Sequence, residues 1–127
     1  LTGVRWFNIA SVAIDPVHSE HIYVGFTNGA FTKLMFTNDG GKNWSDFTFD
    51  LPRFADVDCM ISDHEGKRLF VGTHSGVWQL DTALKKWTPL DAGLPSVMIS
   101  DLEWRADTHE LFAATHGCGL WKIRLEE

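Results

Sequence analysis

The same short phrases return along this 127-residue chain at a spacing of 43, and that repetition limits its fold more than any other feature. Trp44 and Trp87 are 43 residues apart, Leu51-Pro52 returns as Leu94-Pro95, and Val77-Trp78 returns as Leu120-Trp121. Val24-Gly25-Phe26-Thr27 becomes Val71-Gly72-Thr73-His74 and then Ala113-Ala114-Thr115-His116. The step from Gly25 to Gly72 is 47, so the first repeat carries about four extra residues before its tryptophan. A period of this size holds four short strands, the content of one propeller blade.

The local patterns agree with that reading. Val12–Ile14, Val57–Ile61 and Leu102–Trp104 read as innermost strands, and His21–Phe26, Arg68–Thr73 and Glu110–Thr115 as second strands. Third strands are expected over Phe31–Phe36, Val77–Asp81 and Leu120–Leu125, and fourth strands from Trp44 and Trp87. Gly, Asp, Asn and Pro punctuate the gaps, and no stretch of eleven residues keeps a helical period. The expected fold is all-β: about three four-stranded antiparallel blades, in repeats of approximately 8–53, 54–96 and 97–127, forming one segment of a larger or oligomeric propeller. Leu1–Phe7 reads as an outer strand of a preceding blade. The chain begins Leu1-Thr2-Gly3 without Met, so its natural start is expected upstream.

Composition excludes several functions. A net charge of −6 leaves no basic stripe to neutralise phosphates, so nucleic acid is not an expected partner. No apolar run is long enough to span a bilayer, and no signal peptide is visible, which leaves the compartment open. Cys59 and Cys118 belong to no C-x-x-C pattern, so a zinc site is unsupported; they read as free buried thiols, with a disulfide between them left open.

Thr37-Asn38-Asp39-Gly40-Gly41-Lys42-Asn43-Trp44 fits S/T-x-D-x-G-x-x-W at every specified position. The Asp39 carboxylate can accept backbone N–H groups of its own turn, the glycines tolerate positive φ, and Trp44 offers an apolar face to pack beneath the hairpin. This octapeptide resembles the Asp box, or bacterial neuraminidase repeat. In the second repeat, Asp81–Trp87 keeps the tryptophan but neither glycine, as a degenerate box would. The resemblance covers residues 9–127. It implies a propeller of several blades with the box between third and fourth strands, on the face away from the ligand site. Thr37, Asp39, Gly41 and Trp44 are therefore expected to be structural.

The opposite face gathers the second-to-third-strand loops and the links between blades, where polar groups converge over a rigid scaffold. Its ligand-binding candidates are Asn28, Arg53, His74, Ser100 and His116. His74 and His116 hold matching positions: an acid–base or ligand-binding pair on one reading, imidazoles bonded to their own turns on the other. Asp56 and Asp101 read as opening adjacent inner strands. They are the only carboxylates suitably placed for glycoside hydrolysis, which needs two about 5–9.5 Å apart, though they could equally tie loops together. His18, His21, His64 and His109 fall in first-to-second-strand turns, with Asp15, Asp63 and Asp107 as turn formers. His18-x-x-His21 has metal-like spacing but no partner fixed by pattern, so no metal and no cofactor is assigned. Asn43-Trp44-Ser45 is a sequon by chance overlap with the box.

Asp-box propellers include sialidases, xyloglucan-cleaving hydrolases and sortilin-like receptors, so fold does not give function. Sialidases use an arginine cluster and a tyrosine nucleophile; the single tyrosine, Tyr23, sits in mid-strand and disfavours that activity. The preferred expectation is a non-catalytic segment that binds carbohydrate or protein, completed by further blades or a second copy. The alternative is the C-terminal portion of a larger carbohydrate-active hydrolase whose catalytic acids lie elsewhere.

Overall fold

A computed structural model describes residues 9–27, 32–63, 67–90 and 97–125. All eleven elements in them are strands, arranged as three antiparallel blades of a partial propeller. Blade 1 contains β1 (Ile9–Ile14), β2 (Ile22–Phe26), β3 (Leu34–Thr37) and β4 (Ser45–Asp46). Blade 2 contains β5 (Val57–Ser62), β6 (Arg68–Thr73), β7 (Gly76–Asp81) and β8 (Lys86–Leu90). Blade 3 contains β9 (Ile99–Arg105), β10 (Glu110–Thr115) and β11 (Leu120–Arg124). Strands within each sheet pair in sequence order, as expected of blades. The reading of Leu1–Phe7 as an outer strand, and of Phe31 as the start of a third strand, falls outside the described residues.

Each junction between blades has its own apolar core. Ala13, Tyr23, Leu34 and Leu51 of blade 1 and its exit loop meet Val57, Met60, Leu69, Val71, Leu80 and Trp87 of blade 2. Phe70 and Val77 of blade 2 meet Ile99, Leu102, Leu111 and Ala113 of blade 3. The recurring strand glycines belong to these junctions. A Cβ on Gly25 would lie 2.6 Å from Val57 Cγ1, and one on Gly72 2.7 Å from Ile99 Cγ2. The next blade's inner strand passes too close for any side chain there.

All three inner strands carry a β-bulge at the same place. Pairing skips from Ile9 to Ser11, from Val57 to Cys59, and from Ile99 to Asp101. The bulged residues are thus Ala10, Asp58 and Ser100. A bulge re-aims the extra side chain and ends regular pairing, which is why bulges collect beside functional sites.

The two outer faces of the arc differ. On β1, Val12 and Ile14 are 58% and 57% exposed on the side away from blade 2. On blade 3, Leu111 and Ala113 face blade 2, so alternation puts Asp101, Glu103, Phe112, Ala114, Leu120 and Lys122 on the far side. Lys122 pairs there with Glu110 at 3.4 Å. On this far face the apolar Phe112, Ala114 and Leu120 alternate with Asp101, Glu103 and Lys122, a mixed surface where β1 presents Val12 and Ile14.

Candidate functional site

The junction of blades 1 and 2 collects the most developed polar group at the loop end of the sheets. The bulge in β5 presents Asp58 there. Its Oδ1 accepts the Thr27 hydroxyl at 3.1 Å, from the end of β2 in blade 1. Its Oδ2 lies 2.8 Å from Nδ1 of His74, in the β6–β7 turn, an ion pair when the imidazole is protonated, and accepts no aligned hydrogen bond among the described residues. Asp58 is 14% exposed and His74 49%, so the carboxylate is sheltered and the imidazole faces solvent. Burial raises the Asp58 carboxyl above the usual carboxylate range. Thr27 and His74 pull it down, and the neighbouring Asp56 adds to the rise.

Asp56 itself is engaged beside this group. Nζ of Lys33, whose side chain is 1% exposed, lies 2.9 Å from Asp56 Oδ1. The pair joins the start of β3 to the loop entering β5, across the same junction. Removing Asp56 would take this counter-charge from the buried Lys33 ammonium, at a cost of about 3–5 kcal/mol. Phe54, 65% exposed, and the exposed Arg53 lie in that loop.

The carboxylate pair read from the sequence does not fall at equivalent places in the two blades. Asp56 precedes β5, whereas Asp101 is the third residue of β9. The bulges make Asp58 equivalent to Ser100 and Asp56 equivalent to Met98, so Asp56 and Asp101 do not hold matching positions. The sequence reading missed Asp58, Lys33 and the role of Thr27. An acid inside the apolar run Val57-Asp58-Cys59-Met60-Ile61 was the available signal for Asp58.

His116 matches His74 in the repeat but not in surroundings. Its backbone N–H donates to Met98 O at 2.9 Å, and its exposed side chain makes no hydrogen bond or ion pair among the described residues. Ser100, in the place of Asp58, donates its hydroxyl to Ala114 O at 3.1 Å. Neither reading of the two histidines as a matched pair describes both. Asn28 lies outside the described residues.

The Thr37–Trp44 turn is a closed hydrogen-bond network. Asp39 Oδ1 accepts the Thr37 hydroxyl at 2.7 Å and the amides of Lys42 and Asn43 at 2.9 Å each. Asn43 Nδ2 donates to Asp39 Oδ2, and Gly41 N–H to the Thr37 hydroxyl. Gly40 and Gly41 hold φ of 72° and 100°. These bonds, Thr37's foremost, hold the Asp39 carboxyl well below the usual range. Trp44 departs from expectation, being only half-buried: its ring lies against Gly41 of its own turn, and Nε1 donates to Gly41 O at 3.0 Å. Trp87 is the buried one, at 3% exposure. Its N–H donates to Asp50 and its Nε1 to Phe47 O, so it reaches back into blade 1. The turn before it works without glycine, because Asp81 caps Ala83 and Leu84 and Lys85 adopts φ of 54°.

Other candidate nucleophiles are suppressed. Burial, with Asp15 and Asp63 nearby, pushes the Tyr23 phenol up to about 12. Burial, with Asp101 and Asp58, does the same to the Cys59 thiol. Both cysteines are free, Cys59 partly buried and Cys118 exposed rather than buried.

Solved structures match this arc closely in shape and distantly in sequence. A GH74 xyloglucanase from Xanthomonas campestris superposes with a TM-score of 0.73 at 17% identity, over 94% of this chain and 20% of its own. A gluconolactonase from the same organism gives 0.73 at 20% identity, over 97% and 40%. The WD40 repeats of RRP9 give 0.75 at 14% identity, over 97% and 37%. The chain therefore spans a fifth to two fifths of these structures, and the likeness establishes a partial β-propeller and no activity. No protein-family model matches the chain, and no curated protein matches its sequence.

Proposed function

We propose that this chain is a non-catalytic Asp-box propeller segment whose loop face binds a polyhydroxylated, carbohydrate-like ligand at the junction of blades 1 and 2. The observation that carries the reading is the Thr27–Asp58–His74 group, built from two blades and half open to solvent. A carboxylate and an imidazole together can accept from and donate to sugar hydroxyls. Exposed Phe54 adds an apolar surface beside them. The Asp-box assignment is supported by the Thr37–Trp44 bonding network.

What supports the non-catalytic reading is the state of the carboxylates. Asp56 is tied to buried Lys33, and Asp101 is not its counterpart, so these two carboxylates do not form the matched pair that glycoside hydrolysis uses. Further blades of the same polypeptide, or a second copy of the chain, would cover Val12 and Ile14 on the apolar face of blade 1.

A second reading, as a portion of a larger carbohydrate-active hydrolase, is favoured by the similarity to the GH74 xyloglucanase. Calorimetric titration with xyloglucan oligosaccharides, alongside a hydrolysis assay, separates the two. The proposal expects binding that His74→Ala abolishes, with no turnover. Turnover lost in Asp58→Asn would overturn the non-catalytic reading, and absence of binding would refute the carbohydrate ligand.

A further inference from the structure

At the opposite end of blade 1, the turn joining β1 to β2 brings Asp15, His18 and His21 together. We infer that these three side chains form a binding site for a transition-metal ion of the zinc type. The backbone fixes the arrangement. Asp15 N–H donates to His21 O and His21 N–H to His18 O, both at 2.9 Å, closing the turn on itself. Asp15 Oδ1 is occupied by the amides of Val17 at 2.8 Å and His18 at 3.2 Å. That capping role is ordinary for a turn aspartate, and it leaves Oδ2 turned toward both imidazoles.

Nδ1 of His18 lies 3.7 Å from this Oδ2, and Nδ1 of His21 lies 3.8 Å from it. Both distances are too long for a hydrogen bond. The rings stack at 4.7 Å between centroids with 20° between planes, and ligand atoms of the three residues all lie within 4.8 Å of one another. The carboxylate thus has two imidazole nitrogens in front of it and bonds neither. An ion bound at about 2.0–2.2 Å from each ligand in tetrahedral geometry needs the donors about 3.3 Å apart. A modest inward rotation of the imidazoles closes that difference. The His18 side chain is 55% exposed and free to turn, whereas Asp15 is 4% exposed and held. His21 is braced by the edge of Phe36, 5.4 Å away.

Two imidazoles and one carboxylate suit zinc, nickel, copper or cobalt, whereas calcium and magnesium favour all-oxygen sets. The exposed side of His18 leaves a fourth position for water. Gly40 N–H donates to Glu20 O at 3.1 Å, linking this turn to the Thr37–Trp44 hairpin, so an ion here would clamp two turns of one blade end.

The test is a titration of the 127-residue chain with zinc against a chromophoric chelator, repeated with cobalt to read its visible absorption. The expected result is one ion per chain. His18→Ala and His21→Ala should each weaken it by about 10-fold or more, whereas His116→Ala and Cys118→Ser leave it unchanged. Asp15→Asn keeps the Oδ1 acceptor that caps the turn, so its cobalt spectrum reports loss of the carboxylate ligand without unfolding. No zinc taken up at an equimolar ratio, or equal binding by wild type and the His18→Ala/His21→Ala double variant, would overturn the site.

Discussion

His74 and His116 sit at the same place in successive repeats, yet only one of them faces a carboxylate. His74 faces the Asp58 carboxylate at 2.8 Å, with Thr27 of the neighbouring blade on its other oxygen. In the next blade the residue equivalent to Asp58 is Ser100, whose hydroxyl is spent on the Ala114 carbonyl. The scaffold is the same at both junctions, down to the bulge in the inner strand. The difference comes from the one residue that each bulge presents. A repeat fold copies positions, and chemistry is then placed at single positions within the copies.

The largest expected effect concerns packing at the first junction. Trp87→Ala should cost about 3–5 kcal/mol, because a buried indole and its Nε1 bond to Phe47 O in blade 1 are lost together. Trp44→Ala, at a partly exposed ring resting on Gly41 of its own turn, should cost about 1 kcal/mol. Urea midpoints for both variants check the ranking, and equal shifts would break the distinction between the two tryptophans. At the second junction, Gly72→Ala should destabilise by about 1–3 kcal/mol, since its Cβ would press on Ile99. An unchanged thermal midpoint would mean that blades 2 and 3 pack more loosely than described.

Asp58 gives a pH signature that Ser100 cannot. Its folded-state pKa is raised, mainly by burial, so folding favours the protonated form. That contribution is complete below the ordinary carboxylate value and is lost as pH rises through the raised one. Relative to Asp58→Asn, the wild type should therefore lose stability as pH climbs from about 3 through that range. Ser100→Ala should show no such trend, and parallel curves for wild type and Asp58→Asn would remove the sheltered carboxylate from the account. The smallest effect is expected at His116→Ala, within about 0.5 kcal/mol, with ligand binding intact. A larger loss by circular dichroism melting would make the two histidines more alike than their surroundings suggest.

The fold was legible in the sequence because its evidence is repetitive. Glycines at 25 and 72 and tryptophans at 44 and 87 mark places where neighbouring elements constrain one another, and the strands between them fall where alternation puts them. The site was legible only in part. His74 could be read from its loop, but Asp58 could not be placed without the bulge, which shifts inner-strand register by one and makes Asp58, not Asp56, the residue presented. Lys33 was hidden because a lysine is assumed solvated until its partner is seen. Trp44 was read as buried because the motif promises packing; how deeply such a ring is buried depends on its neighbours, and they lie outside the motif. The carboxylate that His18 and His21 face was present as a turn former, and only the closing of that turn brings it to them.

The central claim is that the junction of blades 1 and 2 is the binding face. Backbone amide shift mapping by NMR during titration with xyloglucan oligosaccharides tests it most directly. The account predicts perturbations centred on Thr27, Asp58 and His74, lost in His74→Ala, with Ser100, His116 and the Asp39 turn unmoved. Perturbations centred on Ser100 and His116 instead, or none anywhere on the loop face, would contradict it.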